Sequence, residues 1–208
     1  MTILSTSAFY ERANLNMTNL RKQAEDLQAQ ISSGARINKS SDDPVAAARL
    51  RELARAETLA KVNVANANRA LSDLTLADSA LEEMASNLIR VQELTTQAAT
   101  GTLSDSQRAA IGEQIANIRG NLIALANSKD SAGHALFGGE SAGAAYAIDG
   151  SGNPYYDGTP SSDELPLGDG QTVMRSVTGP EFLNFSHGGG PTDLFAVLGN
   201  LAAALQGG

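Results

Sequence analysis

The chain has 208 residues, 42% of them hydrophobic, and a formal net charge of −8, the balance of a folding chain rather than of bulk disorder. It contains no cysteine, which excludes disulfide frameworks, thiolate zinc sites and cysteine nucleophiles. Positive charge outweighs negative only in residues 1–61, by 9 Lys/Arg to 7 Asp/Glu, so the basic face that nucleic-acid binding needs is missing and no nucleic-acid partner is expected.

The first twenty residues carry Glu11 and Arg12 and no apolar run of seven, so no cleaved signal peptide is expected. No later stretch approaches 18 apolar residues, so no membrane partner is expected either. Between Tyr10 and Phe137 the chain has no aromatic residue and must pack with aliphatic side chains and alanine, which suits thin helices. Only four of the 20 glycines and one of the 6 prolines precede residue 133, so helices come first and loops and strands after.

The first helix is expected to run to about Ser33. Ala13, Met17, Leu20, Ala24, Leu27 and Ile31 step by fours and threes along it, an apolar seam that wants a helical partner. Ser32-Ser33-Gly34 breaks it. Asp42 and Asp43 are cap candidates for a second helix, with Pro44 at its first position. That helix runs uninterrupted to about Thr100, a length of about 85 Å at ~1.5 Å per residue. Val64, Ala67, Leu71, Leu74, Ala77, Leu81, Met84, Leu88 and Val91 form its stripe. Ser104 and Gln107 read as a capping box opening a third helix, with Ile111, Ile115, Ile118, Leu122 and Leu125 on one face. Two helices in a hairpin leave much of each seam wet, so a further helix must come from elsewhere in the chain or from another subunit.

Beyond Asn127 the spacing predicts a β-hairpin from Tyr146 to Gly158 turning at residues 149–154, then strands at 171–177 and 181–185. Gly188-Gly189-Gly190-Pro191 reads as a linker, and Thr192 as the cap of a last helix from Asp193 to about Leu205. Chemistry is sparse: His134 and His187 are far apart in glycine-rich segments and read as loop histidines. Asp149-x-Ser151-x-Asn153 imitates half a calcium loop, but Pro154 stands where that loop needs glycine, and a hairpin turn fits better. The pairs Asp42-Asp43, Glu82-Glu83 and Asp163-Glu164 read as solvated. No catalytic residue, metal site or cofactor is expected, and the chain reads as a non-enzyme.

The run from Ser32 to Ala47, with Ser33, Gly34, Arg36, Ile37, Asn38, Ser41, Asp42, Asp43 and Pro44, resembles the N-terminal hallmark of bacterial flagellins and their relatives. The resemblance implies a mainly α fold: a long antiparallel helical rod with an N-terminal coiled-coil arm and a small β-rich insertion. Its parts would be an assembly arm and linker over 1–41, a helical rod over 42–139, a β-rich domain over 140–190 and a return helix over 191–208. Thr102 to Asp105, Leu125 to Asn127, Asp130, Gly133 and Ala135 to Gly139 resemble the hook–filament junction branch of the family more than the filament-forming branch. The implied function is structural: Ala13, Met17, Leu20, Ala24, Leu27 and Ile31 would pack into the inner tube of the flagellum. The implied partners are other copies, the other axial proteins of the flagellum and an export chaperone, with location outside the cell after type III export. The family pattern continues with two further helical segments, and this sequence ends at Gly208 before them. Leu88 to Leu94 also resembles the helix segment that a vertebrate innate-immune receptor contacts, although ordinary helix-surface polarity accounts for these residues. Filament flagellin is the alternative reading. From another class, so is a secreted adhesin or enzyme whose β-domain sits on a helical stalk.

Overall fold

The computed structural model describes residues 3–162 and 164–207. Asp163, half of one carboxylate pair, lies outside them, as does the terminal Gly208. The chain divides into two compact units, Met1–Ala60 and Lys61–Gly208.

In the first unit α1 spans Ile3–Ser33 and α2, Pro44–Ala98, begins. Neither helix contains a glycine, and the one proline stands at the first position of α2, where its missing N–H costs nothing. Gly34, at φ 66°, ends α1 in the left-handed conformation that a side chain resists.

The second unit holds the core. Ala77, Ala80, Met84, Val91 and Leu94 of α2 cluster with Ile111, Ile115, Leu122 and Ala126 of α3, Asp105–Ala126. The third helix that this pair needs comes from the same chain: α5, Leu194–Gln206, lies along α3 and adds Phe195, Leu198 and Ala202. Close approach there rests on Gly112, where a Cβ would sit 2.8 Å from the Ala202 carbonyl oxygen. Side chains such as Leu94, Ile115 and Leu122, fully buried, each contribute about 1.5–3 kcal/mol. The Ser104 capping box is present, with the Ser104 N–H donating to Gln107 at 2.9 Å.

Three separate antiparallel hairpins follow. β1 (Tyr146–Ile148) pairs with β2 (Pro154–Tyr156), Tyr146 opposite Tyr156. The turn between them is closed by Asp149, whose Oδ1 accepts from the N–H groups of Ser151 and Asn153 at 2.9 and 2.8 Å. β3 (Glu164–Gly168) pairs with β4 (Gln171–Met174) through a bulge near Pro166, and β5 (Asn184–His187) with β6 (Gly190–Asp193).

Several expectations for this region need correction. The strand expected at 171–177 ends at Met174, because Arg175 turns into a buried ion cluster. The strand expected at 181–185 begins as a short helix, α4 (Gly179–Leu183), started by Pro180 and by Glu181 accepting from the Thr178 N–H at 2.9 Å. Gly188 and Gly189 are not a linker. With φ of 62° and 86° they form the two-residue turn that β5 and β6 require, since both central positions of that turn need positive φ. Asp193 rather than Thr192 caps α5, its Oδ1 accepting from the Ala196 N–H at 2.9 Å.

Candidate assembly site

Residues 33–47 build a self-contained polar turn. Ser33 Oγ donates to Asn38 Oδ1 at 2.8 Å, and Asp42 Oδ2 accepts from the Asn38 and Lys39 N–H groups at 3.2 and 2.9 Å. Asp43 Oδ1 accepts from the Ala46 N–H at 2.9 Å and so caps α2, while Arg36 reaches its other oxygen at 3.2 Å. The Ala46 hydrogen bond above all, joined by Arg36, holds the Asp43 carboxyl below its ordinary pKa against the opposing effect of desolvation. Ile37 is half-buried beside this turn, whereas Ser41 and Pro44 are exposed. The two aspartates, read as solvated from sequence, are each committed to backbone N–H groups. The pattern is therefore a device for stopping one helix and starting the next.

The α1 seam lies open. Met17, Leu20, Leu27 and Ile31 are 62%, 65%, 57% and 82% exposed; Ala24 is exposed and Ala13 half-buried. The stripe is regular in period and uncovered within its own unit.

The second unit contains a polar cluster that the sequence did not flag. Arg175, just after β4, donates Nε to Asp73 Oδ2 of α2 at 2.9 Å and also bonds Asp130 Oδ2, in the loop after α3. The two carboxylate side chains are 2% and 1% exposed. Asp130 Oδ1 accepts from the Ala132 and His134 N–H groups at 2.8 and 2.9 Å. Burial alone would raise the Asp130 pKa, but these bonds and the guanidinium together hold it below its ordinary value. His134 thus lies beside Asp130, its Nδ1 3.5 Å from Oδ2. With Asp130 bound to Arg175 and to backbone donors, and Asp73 bound to the same arginine, this cluster ties three segments together. Glu82 and Glu83 are exposed, and among the described residues no three His, Asp or Glu side chains converge as a metal site would require. Among the same residues, no helix is long and apolar enough to cross a membrane. The segment Leu88–Leu94 presents Ile89, Arg90, Gln92 and Glu93 to solvent, with Arg90 paired to Glu93 at 2.8 Å.

The turn at 33–47, α2 and all of α1 but its first residue fall inside residues 4–142, which match the model of the bacterial flagellin N-terminal helical region. The chain belongs to the bacterial flagellin family. Within it, flagellar hook-associated protein 3 of Salmonella typhimurium is 30% identical over 181 residues, covering 87% of this chain and 56% of the relative. Flagellin E of Vibrio cholerae is 34% identical over 121 residues, covering 57% of this chain and 31% of the relative. A crystal structure of FlgL from Xanthomonas campestris shares 30% identity and a TM-score of 0.59, over 62% of this chain and 42% of that one. The chain therefore spans just over half the length of the hook-associated relative. As in the flagellin family's junction branch, the fold is mainly helical with a small β-rich region.

Proposed function

We propose that this chain is a structural, non-enzymatic subunit that joins the flagellar hook to the filament. One observation carries the reading: likeness to hook-associated proteins extends over 87% and 97% of the chain, whereas likeness to flagellins extends over 57% to 71%. The mechanism is polymer packing. Residues 1–41 act as the assembly arm, whose seam from Ala13 to Ile31 packs against helices of the inner tube. Residues 42–139 form the rod that meets neighbouring subunits, 140–190 a small β-rich domain, and 191–208 the return helix. The turn from Ser33 to Pro44 sets where the arm ends and the rod begins. The partners are further copies of the chain, the hook-associated proteins and flagellin, together with an export chaperone that binds before export. The protein is exported and sits outside the cell on the flagellum.

Immunogold electron microscopy of intact flagella, with antibody against residues 140–190, tests this. Gold is expected in one short zone at the end of the hook. Label along the whole filament would make the chain a filament flagellin, and unlabelled flagella would remove it from the axial structure.

A further inference from the structure

A two-stranded ribbon has two outer edges, and the backbone groups on those edges can be followed strand by strand. On β1, the outward N–H and C=O of Tyr146 are both taken by the Asn127 side-chain amide, at 2.8 and 2.9 Å. Its partner β2 opens with Pro154, which has no N–H. On β3, Pro166 removes an edge donor and its carbonyl accepts from Asn66 of α2 at 2.9 Å. On β6, Pro191 stands opposite Ser186. His187 and Gly190 flank the two-residue turn as the bonded pair, so Ser186 and Pro191 turn their backbone groups outward. A proline thus stands on one edge of each hairpin, and Asn127 covers Tyr146 on β1.

Among the described residues Ile148 of β1 and Tyr156 of β2 also keep outward backbone groups without a partner, but β4 and β5 are the two strands with neither a proline nor a covering side chain on the edge. The Asn184 N–H closes α4 onto the Pro180 carbonyl, but Ser186 keeps both backbone groups toward solvent. Among the described residues no group from outside the hairpin bonds the outer edge of β4. Neither strand carries a charge: they read Gln-Thr-Val-Met and Asn-Phe-Ser-His in a chain of net −8. Charged side chains are the usual guard on an exposed edge, and an isolated two-stranded ribbon is marginal in water.

We propose that β5 of one copy adds to the open edge of β4 in the next, a strand addition that joins the β-rich regions of neighbouring subunits. This inference rests on the assembly reading above and names one of its contacts. The occupant is a second copy because the assembly reading sets copies side by side, and β4 and β5 are uncharged edges at which chains of net −8 can approach with little repulsion. The edges are unlike, so the contact is head-to-tail and propagates into a ring or helical array, whereas β5 on β5 would close as a dimer.

The absence of cysteine makes the test direct. Full-length Thr172→Cys and Ser186→Cys chains are mixed at high concentration and joined with a short bis-maleimide. Cross-links between residues 172 and 186 of different copies are expected, several-fold above the dimers that either variant forms alone. Ser186→Pro should weaken self-association at least tenfold in sedimentation, with circular dichroism unchanged. Cross-links that are mainly 186 to 186, none at any concentration, or parental association of Ser186→Pro overturn the proposal. Cross-links without gold at the hook end would leave strand addition standing and remove the junction reading; gold there without cross-links would do the reverse.

Discussion

The Arg175 guanidinium lies 2.9 Å from the Asp73 carboxylate, although 102 residues separate the two in the chain. The same group bonds Asp130, so one cation serves two buried anions. Arg175→Met leaves both without it, and urea unfolding at pH 7 should show a loss of about 3–5 kcal/mol. Arg175→Lys should recover part of this, since a point charge cannot match the fork of the guanidinium. Asp130 has a folded pKa below its unfolded 3.8, so its contribution is fully present above that value and fades as pH falls through the lowered one. The parent should therefore lose stability more steeply than Asp130→Asn below about pH 4. Equal acid slopes for the two chains would show that Asp130 is not held in this way.

Two glycines of α3 should respond in opposite directions. At Gly112 a Cβ would meet the Ala202 carbonyl oxygen at 2.8 Å and Gln206 Cγ at 2.9 Å, and the carbonyl is backbone that cannot swing aside. Gly112→Ala should cost about 1–3 kcal/mol by forcing α3 and α5 apart. At Gly120 a Cβ would meet nothing within 4 Å, so Gly120→Ala should stabilise by up to about 1 kcal/mol through helix propensity alone. Thermal unfolding of the two single variants, side by side, checks the pair.

Among the described residues the buried Tyr146 hydroxyl has no hydrogen-bond partner. Its ring packs edge-on against Tyr156 and Phe195, with centroids at 5.4 and 5.2 Å, and burial first, then the Tyr156 and Asp193 charges, pushes its pKa up. An unsatisfied buried hydroxyl costs about 1–3 kcal/mol, so Tyr146→Phe should be neutral or stabilising. A loss of more than about 1 kcal/mol in chemical denaturation would mean that the hydroxyl has a partner, such as a bound water.

Most of the helical half was legible because its signals are local. A helix stop at Gly34, the Asp43 cap, Pro44 and the Ser104 capping box each act within four residues, and the structure has α2 ending at Ala98 and α3 at Ala126. The β-rich half was harder. Asp169-Gly170 is a strong two-residue turn signal, and the pair does take positive φ at 51° and 76°, but β3 before it contains a proline and reads as loop. Glu181–Leu183 has the composition of a strand, and what makes it helical is Pro180 with the Glu181 cap at its start. Arg175, Asp73 and Asp130 meet across distances that no window of sequence spans, so nothing marked them out as partners. For the candidate site the period of the α1 seam and the cap at Asp43 were readable, while the part of Asp42 as acceptor for the upstream Asn38 and Lys39 N–H groups was not.

The arm offers the sharpest separation of folding from assembly. Leu20 and Leu27 are exposed in the single chain, so Leu20→Asp and Leu27→Asp should leave synthesis and unfolding free energy within about 0.5 kcal/mol of the parent. In a packed helical seam the same aspartate would be a buried, unpaired charge costing several kcal/mol, enough to exclude the subunit from a polymer. Lys22→Asp makes a larger change of charge at an exposed position off the seam and should still assemble. In flagellated cells that depend on this chain, immunoblots of cell pellet, culture medium and sheared flagella should find Leu20→Asp and Leu27→Asp in the medium and Lys22→Asp in the flagella. Leu20→Asp at parental levels in sheared flagella would show that the seam from Ala13 to Ile31 is not the packing surface, and the arm would lose its assigned role.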